Sequence, residues 1–158
     1  MEGHLYFITN VTYKRMPFLT EHIDLLFDAL NSVKAKMSFY NIAYVVLPDH
    51  FHMIIDPLSN DISEIMKRIK LSFSKKYRYI TKYHGRIWQY RFWDHIIRNQ
   101  QDFNRHIDYI HYNPVKHGMI NNPSKYKYSS MHEFINNGYY QSDWGLQEID
   151  FVDHDFGE

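Results

Sequence analysis

The chain contains no cysteine. That absence excludes a disulfide framework and all thiolate chemistry, so a bound metal has only nitrogen and oxygen ligands to draw on. Apolar runs of the ~18 residues that span a membrane are also missing, and the first residues lack the apolar core of a secretory signal. Both absences suit a cytoplasmic protein with no membrane partner. No internal repeat or low-complexity segment is evident. Net charge is absent too, with 18 basic residues against 18 acidic ones. At 158 residues the chain is long enough for one domain with a real core.

Aromatic residues are abundant: 14 Tyr, 11 Phe and 3 Trp. Some must build the core, but so many tyrosines also suit a surface that stacks on nucleobases. The balanced charge is segregated along the chain. Residues 61–91 hold nine Lys/Arg (Lys67, Arg68, Lys70, Lys75, Lys76, Arg78, Lys82, Arg86, Arg91) against two acids, a net of +7. Residues 131–158 hold seven acids and no Lys or Arg, a net of −7. The basic stretch is interleaved with Phe73, Tyr77, Tyr79, Tyr83, Trp88 and Tyr90, which is the electrostatic footprint of a phosphate-backbone partner or a solvated helix face. The matched acidic segment, with Asp143, Trp144, Glu148, Asp150, Asp153 and Asp155, is expected either to fold back over that surface or to stay solvated. If it folds back, truncation after Ser130 should raise DNA affinity.

Periodicity predicts an α+β domain in the order β-α-β-β-α-β-α, an antiparallel sheet with helices on one face. Strands are expected over Leu5–Tyr13, Phe39–Leu47, Phe51–Asp56 and Arg91–Arg98. Helices are expected over Glu21–Lys36 behind a Thr20 cap, from Asp61 or Ser63 with Ile62, Ile65, Met66, Ile69 and Phe73 inward, and over Asp102–Tyr112. Residues 1–130 form the expected catalytic domain, and 131–158 an irregular acidic tail.

Two local patterns carry chemistry. In Leu47-Pro48-Asp49-His50-Phe51-His52-Met53-Ile54-Ile55, strand alternation puts His50 and His52 on one face and Phe51 on the other. Paired imidazoles in so apolar a strand can hold a divalent metal, the alternative being two solvent-facing histidines. In Tyr109-Ile110-His111-Tyr112-Asn113-Pro114-Val115, Tyr109 and Asn113 share a helix face at i, i+4. Pro114 is expected to end the helix and leave the Asn113 amide free.

These two patterns, with the intervening Ile87-Trp88-Gln89 and Phe92-Trp93-Asp94 and the later Tyr128-Ser129-Ser130, resemble the HUH single-strand transposases. Within them the chain is most similar to the REP-associated tyrosine transposases, over roughly residues 3–130. That resemblance implies a ferredoxin-like fold and cleavage of single-stranded DNA at REP-like hairpins through a 5′-phosphotyrosine. It implies His50 and His52 as metal ligands, Tyr109 as nucleophile and Asn113 as third ligand, where the mobile insertion-sequence enzymes carry glutamine. It also implies a monomer over a dimer, in the cytoplasm and on the nucleoid when bound to DNA.

Two imidazoles and an amide suit Mg²⁺ or Mn²⁺ and tilt the choice toward Mn²⁺. His106, at i−3 from Tyr109, is the candidate proton acceptor. Asp94 and His95 are candidate partners of the site's histidines. Lys67, Arg68, Lys70, Lys75, Lys76, Arg78 and Arg91 are candidate DNA contacts, and Trp88 and Trp93 are either stacking platforms or core anchors. Two other functions stay open at this point. One is a non-catalytic nucleic-acid-binding module on the same fold, and the other a metal-dependent nuclease that uses water.

Overall fold

The computed structural model describes residues 3–151 and 154–158, so Asp153 of the acidic segment lies outside the described residues. Its sheet holds β1 (Tyr6–Val11), β2 (Tyr40–Val46), β3 (His50–Asp56) and β4 (Trp93–Ile96) in the order β2-β3-β1-β4. Every neighbouring pair is antiparallel, with His52 opposite Thr9 and Phe7 opposite His95. Helices α1 (Ile23–Lys34) and α2 (Ile62–Thr81) join these strands in the β-α-β-β-α-β pattern of ferredoxin-like folds, and α3 (Gln100–Lys116) follows β4.

Alternation along the central strands sorts their side chains into two cores. Ile8, Phe51, Met53 and Ile55 meet Leu26, Ala29 and Leu30 of α1 and the Ile62, Ile65, Met66, Ile69, Phe73 stripe of α2. On the other side, Phe7, Ala43, Val45, Leu47 and Ile54 meet Ile107, Tyr109 and Ile110 of α3. The expectation of helices on one face thus holds for α1 and α2, while α3 covers the opposite face. The reason is that β1, β2 and β3 carry apolar residues on this face too. Leaving Phe7, Val45 and Ile54 in water would cost on the order of 2 kcal/mol for each side chain.

Element ends differ where local chemistry wins. Helix α2 starts where expected, with Asp61 Oδ1 accepting from the Glu64 N–H at 2.9 Å. Helix α1 starts at Ile23 behind His22, which makes no side-chain cap bond. Strand β1 stops at Val11 because the chain turns through Tyr13–Arg15, where Lys14 and Arg15 adopt positive φ. Strand β4 is four residues long.

Helix α3 continues through Pro114 instead of ending there. The proline removes only its own N–H, and the next turn still forms, with His117 N donating to Asn113 O at 3.0 Å and Met119 N to Pro114 O at 2.9 Å. Asn113 therefore lies inside the helix, fully buried, rather than at its end.

The described residues beyond Pro123 are irregular apart from a turn at Pro123–Lys125 and the short α4 (Met131–Asn136). They are nevertheless packed. Met131, Tyr140 and Phe156 share the α3-side core. His111 Nδ1 and Nε2 bond to Tyr140 Oη at 3.0 Å and Ser130 Oγ at 2.8 Å, tying this segment to the helix. Among the described residues no helix is long and apolar enough to cross a membrane.

Candidate active site

Strand β3 presents His50 and His52 toward α3, with ring centroids 5.0 Å apart and side chains 2% and 0% exposed. A second partner orients each ring. His50 Nδ1 lies 2.7 Å from Asp49 Oδ1, and His52 Nδ1 lies 2.7 Å from Thr9 Oγ1 on the neighbouring strand. Because the Thr9 hydroxyl donates to the Phe156 carbonyl, it accepts from His52 Nδ1–H. Both Nε2 atoms are thereby turned into the space beneath α3. Burial pushes the His52 imidazole down to about 4. Burial also lowers His50, but its bond to Asp49 and the nearby carboxylate of Glu158 outweigh that effect and raise it.

Helix α3 closes the space from above with Tyr109 and Asn113, both buried and one turn apart as their spacing predicts. The Tyr109 ring stands 5.3 Å from that of His52. Its hydroxyl accepts a 2.9 Å hydrogen bond from Lys116 Nζ, seven residues on along the same helix. Burial, with the carboxylate of Glu158 nearby, holds the Tyr109 phenol well above its ordinary value. His106 is placed otherwise than its spacing suggests. Its Nδ1 is held by the Asp102 carbonyl at 2.8 Å and the Asp102 carboxylate at 3.1 Å, and its ring stacks on His95 at 4.6 Å.

A segment with no anticipated place here occupies the centre. Glu158 Oε1 lies 2.8 Å from His52 Nε2, 3.6 Å from His50 Nε2 and 2.6 Å from Asn113 Nδ2. Its Oε2 accepts from Lys116 at 3.1 Å and His117 at 2.9 Å. Burial opposes its ionisation, but the surrounding imidazoles of His117, His50 and His52 win and hold it far below the usual carboxylate range. Phe156 lies flat on Tyr109, with centroids 3.6 Å apart and planes 5° apart. Gly157 between them has φ +75, and a Cβ there would fall 2.4 Å from Trp93 Cγ. Only glycine therefore threads this path.

The donor set fits a divalent cation. His50 Nε2 and Asn113 Oδ1 are buried without a hydrogen-bond partner among the described residues. Such orphans are costly, and both border the carboxylate of Glu158. Ligand atoms of His50, His52 and Glu158 all lie within 4.8 Å of one another. Imidazole nitrogen with carboxylate and amide oxygen is a set that Mn²⁺ and Mg²⁺ accept.

Residues 1–113 match the family described as IS200-like transposases. A REP-associated tyrosine transposase of Escherichia coli K12 is 36% identical over 94% of this chain and 88% of its own length. This chain belongs to that family. A Haemophilus influenzae protein named provisionally as a REP-associated tyrosine transposase is 34% identical over 91% of this chain and 89% of its own. A solved REP-associated tyrosine transposase bound to a REP hairpin superposes with a TM-score of 0.88 at 35% identity, covering 100% of this chain and 93% of the other. A Deinococcus radiodurans structure at 15% identity shares the fold, with a TM-score of 0.53 over 75% of this chain and 92% of its own.

On this IS200-like transposase scaffold the remaining candidates scatter. Asp94 is exposed on the side of β4 away from the site, and the acid that binds His95, at 2.8 Å, is Asp102. Trp88 is a core residue, 6% exposed, with its indole N–H on Ser74 Oγ at 3.1 Å. Trp93 packs on Phe7 beside the tail. The cations of α2 lie on the opposite side of the sheet from the histidines. There Arg68 pairs with Glu64 at 2.7 Å and Lys76 with Asp28 at 3.7 Å, whereas Lys67, Lys70 and Arg78 line a groove and Lys75 and Arg91 are exposed. Glu158, Phe156, Thr9, Lys116 and His117 escaped sequence reasoning as site residues. The only signal for Lys116 was its i+7 spacing from Tyr109, hidden by Pro114.

Proposed function

We propose that this IS200-like transposase is a metal-dependent single-strand DNA endonuclease and strand transferase that acts at REP-like hairpins through a 5′-phosphotyrosine on Tyr109. The observation that carries this is the convergence, within one chain, of two oriented imidazoles, a buried amide and a tyrosine whose hydroxyl meets a lysine. His50, His52 and Asn113 are the residues that would hold Mn²⁺ or Mg²⁺. When bound, that cation supplies positive charge against a non-bridging phosphate oxygen.

The chain's own groups do the rest. Asp49 and Thr9 keep the imidazoles in one tautomer and orientation. The Lys116 ammonium, a donor to Tyr109 Oη, stabilises negative charge on that oxygen during attack. The Tyr109 phenol gives its proton to water as its O–P bond forms and the P–O3′ bond breaks, and the released 3′ oxygen takes a proton back from water, so no net proton is consumed. A phenolate is a good leaving group, so a 3′-OH can reverse the step without a nucleotide cofactor. Since no site residue has to come from a second copy, a monomer suffices. The E. coli relative's name and the REP hairpin in the related structure support the same substrate class. Action on hairpin DNA places the protein in the cytoplasm, on the nucleoid.

The test is incubation of labelled single-stranded hairpin DNA with protein and Mn²⁺ or Mg²⁺, resolved on a denaturing gel. A protein–DNA band that survives denaturation and is lost in Tyr109→Phe is expected. Cleavage without that band would mean a water-using nuclease. Binding without cleavage would mean a recognition module.

A further inference from the structure

A second trio of metal-ligating side chains lies apart from His50, His52 and Glu158. His95 belongs to β4, while Asp102 and His106 lie one turn apart on α3. His95 stands opposite Phe7 in the sheet register, which turns its side chain to the α3 face. The short link 97–99 then brings the start of α3 back beside it. One ligand atom from each of the three lies within 4.8 Å of the other two. Their side chains are 23%, 12% and 6% exposed. The His95 and His106 rings stack, with centroids 4.6 Å apart and planes 15° apart. Both turn a nitrogen to one carboxylate: His95 Nε2 lies 2.8 Å from Asp102 Oδ2, and His106 Nδ1 lies 3.1 Å from Asp102 Oδ1.

More than a helix cap is built here. The cap of α3 is already supplied by Asn99, whose Oδ1 accepts from the Asp102 N–H at 2.9 Å. The Asp102 carboxylate serves the imidazoles instead, and also accepts from the Arg98 N–H at 2.9 Å. All three side chains line a cavity of about 270 Å³, which His154 and Asp155 of the acidic segment line as well. Asp102 and Asp155 offset Arg98 and Arg105 in its walls, which carry no net formal charge while the imidazoles are neutral. Burial lowers His106, which keeps that imidazole neutral and able to offer a lone pair. The trio is also insulated from Tyr109 and the other two histidines. The Phe7 ring stands between, 4.7 Å from His106 and 5.3 Å from His52, and Phe156 lies 5.3 Å from His106.

We propose that His95, Asp102 and His106 form a second metal site, for Zn²⁺ or a divalent ion of like chemistry, separate from the site at His50 and His52. Two imidazoles and one carboxylate are the ligand set of an open zinc site, with water in the fourth position. Here that position faces the cavity. Ligands around a tetrahedral zinc stand about 3.3 Å apart, so the present 2.8 and 3.1 Å separations need to open by only a few tenths of an ångström. Each ring offers its lone pair to the ion by carrying its proton on the other nitrogen. Mg²⁺ prefers oxygen ligands and would stay at the first site. The second ion would tie the edge strand β4 to the start of α3. The proposal does not rest on the hairpin-DNA function above.

The test is a calorimetric titration of the metal-free full chain with Zn²⁺. His95→Gln should bind one equivalent fewer than the wild type, and His50→Gln should keep the equivalent that His95→Gln loses. Zn²⁺ should raise the wild-type Tm by several degrees more than that of His95→Gln, while the two melt alike without metal. Because the chain has no cysteine, Asp102→Cys adds a spectroscopic readout. With Co²⁺ it should gain a thiolate-to-cobalt charge-transfer band that the wild type lacks. Equal Zn²⁺ stoichiometry in wild type and His95→Gln would overturn the second site. So would the absence of the band in an Asp102→Cys chain that melts like the wild type. Covalent adduct formation in the separate denaturing-gel assay reports on the transposase function alone, whichever way the titration falls.

Discussion

Lys116 is the residue on which the proposed nucleophile most depends. Burial alone would keep the Tyr109 phenol protonated, and against it stand the 2.9 Å bond from the cationic Lys116 Nζ and the Asn113 amide, both of which favour charge on its oxygen. Lys116→Met should therefore slow adduct formation by about tenfold or more, while Lys116→Arg retains part of the rate. Single-turnover adduct formation checks this, and an unaltered rate in Lys116→Met would remove the lysine from the chemistry. Lys116 and the two histidines differ in how legible they were. His50 and His52 were readable because a strand has period two, so a hydrophobic residue between them places both on one face. Lys116 was not, because a proline two residues before it signals the end of a helix. Only the surrounding packing shows that the helix goes on.

At the scale of elements the same contrast recurs. The stripe of α2 and its Asp61 cap follow from local pattern, and the structure keeps both. The position of α3 does not follow, since nothing local says which face of the sheet a third helix covers. It is set by the apolar residues that β1, β2 and β3 carry on their second face. The segment beyond Pro123 was hard to read for a related reason, since its aromatic residues are spaced irregularly and find partners only through tertiary contact. Tyr126 is one of them, 8% exposed, with its hydroxyl on the Val46 carbonyl at 2.6 Å. Burial holds its phenol well above the ordinary value. A raised folded value means that its contribution is intact below about pH 10, where the unfolded phenol titrates, and is lost as pH climbs above that. The unfolding free energy should then fall by about 1.4 kcal/mol per pH unit from this group. Tyr126→Phe should cost about 1 kcal/mol near pH 8, and its deficit should shrink and reverse by pH 11. Denaturant melts at the two pH values decide it, since a constant deficit would mean that Tyr126 titrates normally.

Across the whole molecule, the basic helix α2 and the cluster of His50, His52 and Tyr109 sit on opposite faces of one sheet, and this changes what the acidic segment does. The +7 and −7 stretches suggested a tail lying over the basic helix. The chain instead carries residues 154–158 to the α3 face, where Glu158 binds His52, Asn113, Lys116 and His117 and Phe156 covers Tyr109. A DNA strand reacting at Tyr109 needs those same atoms and that same ring face. The carboxylate of Glu158 is also chemically close to a phosphate, an anionic oxygen pair among cationic donors. Truncation after Ser130 would thus be a poor experiment, because it removes Met131 and Tyr140 from the core along with the plug. Deleting residues 154–158 alone leaves both in place. The deletion should raise the adduct-formation rate severalfold while changing hairpin affinity less than twofold, since the basic face of α2 is left untouched. Electrostatic competition over the basic face would give the reverse, tighter binding with little change in rate at saturating DNA, and with a steep dependence on salt. Measuring rate at saturation and affinity at two salt concentrations on the same deletion separates a plugged site from a masked one.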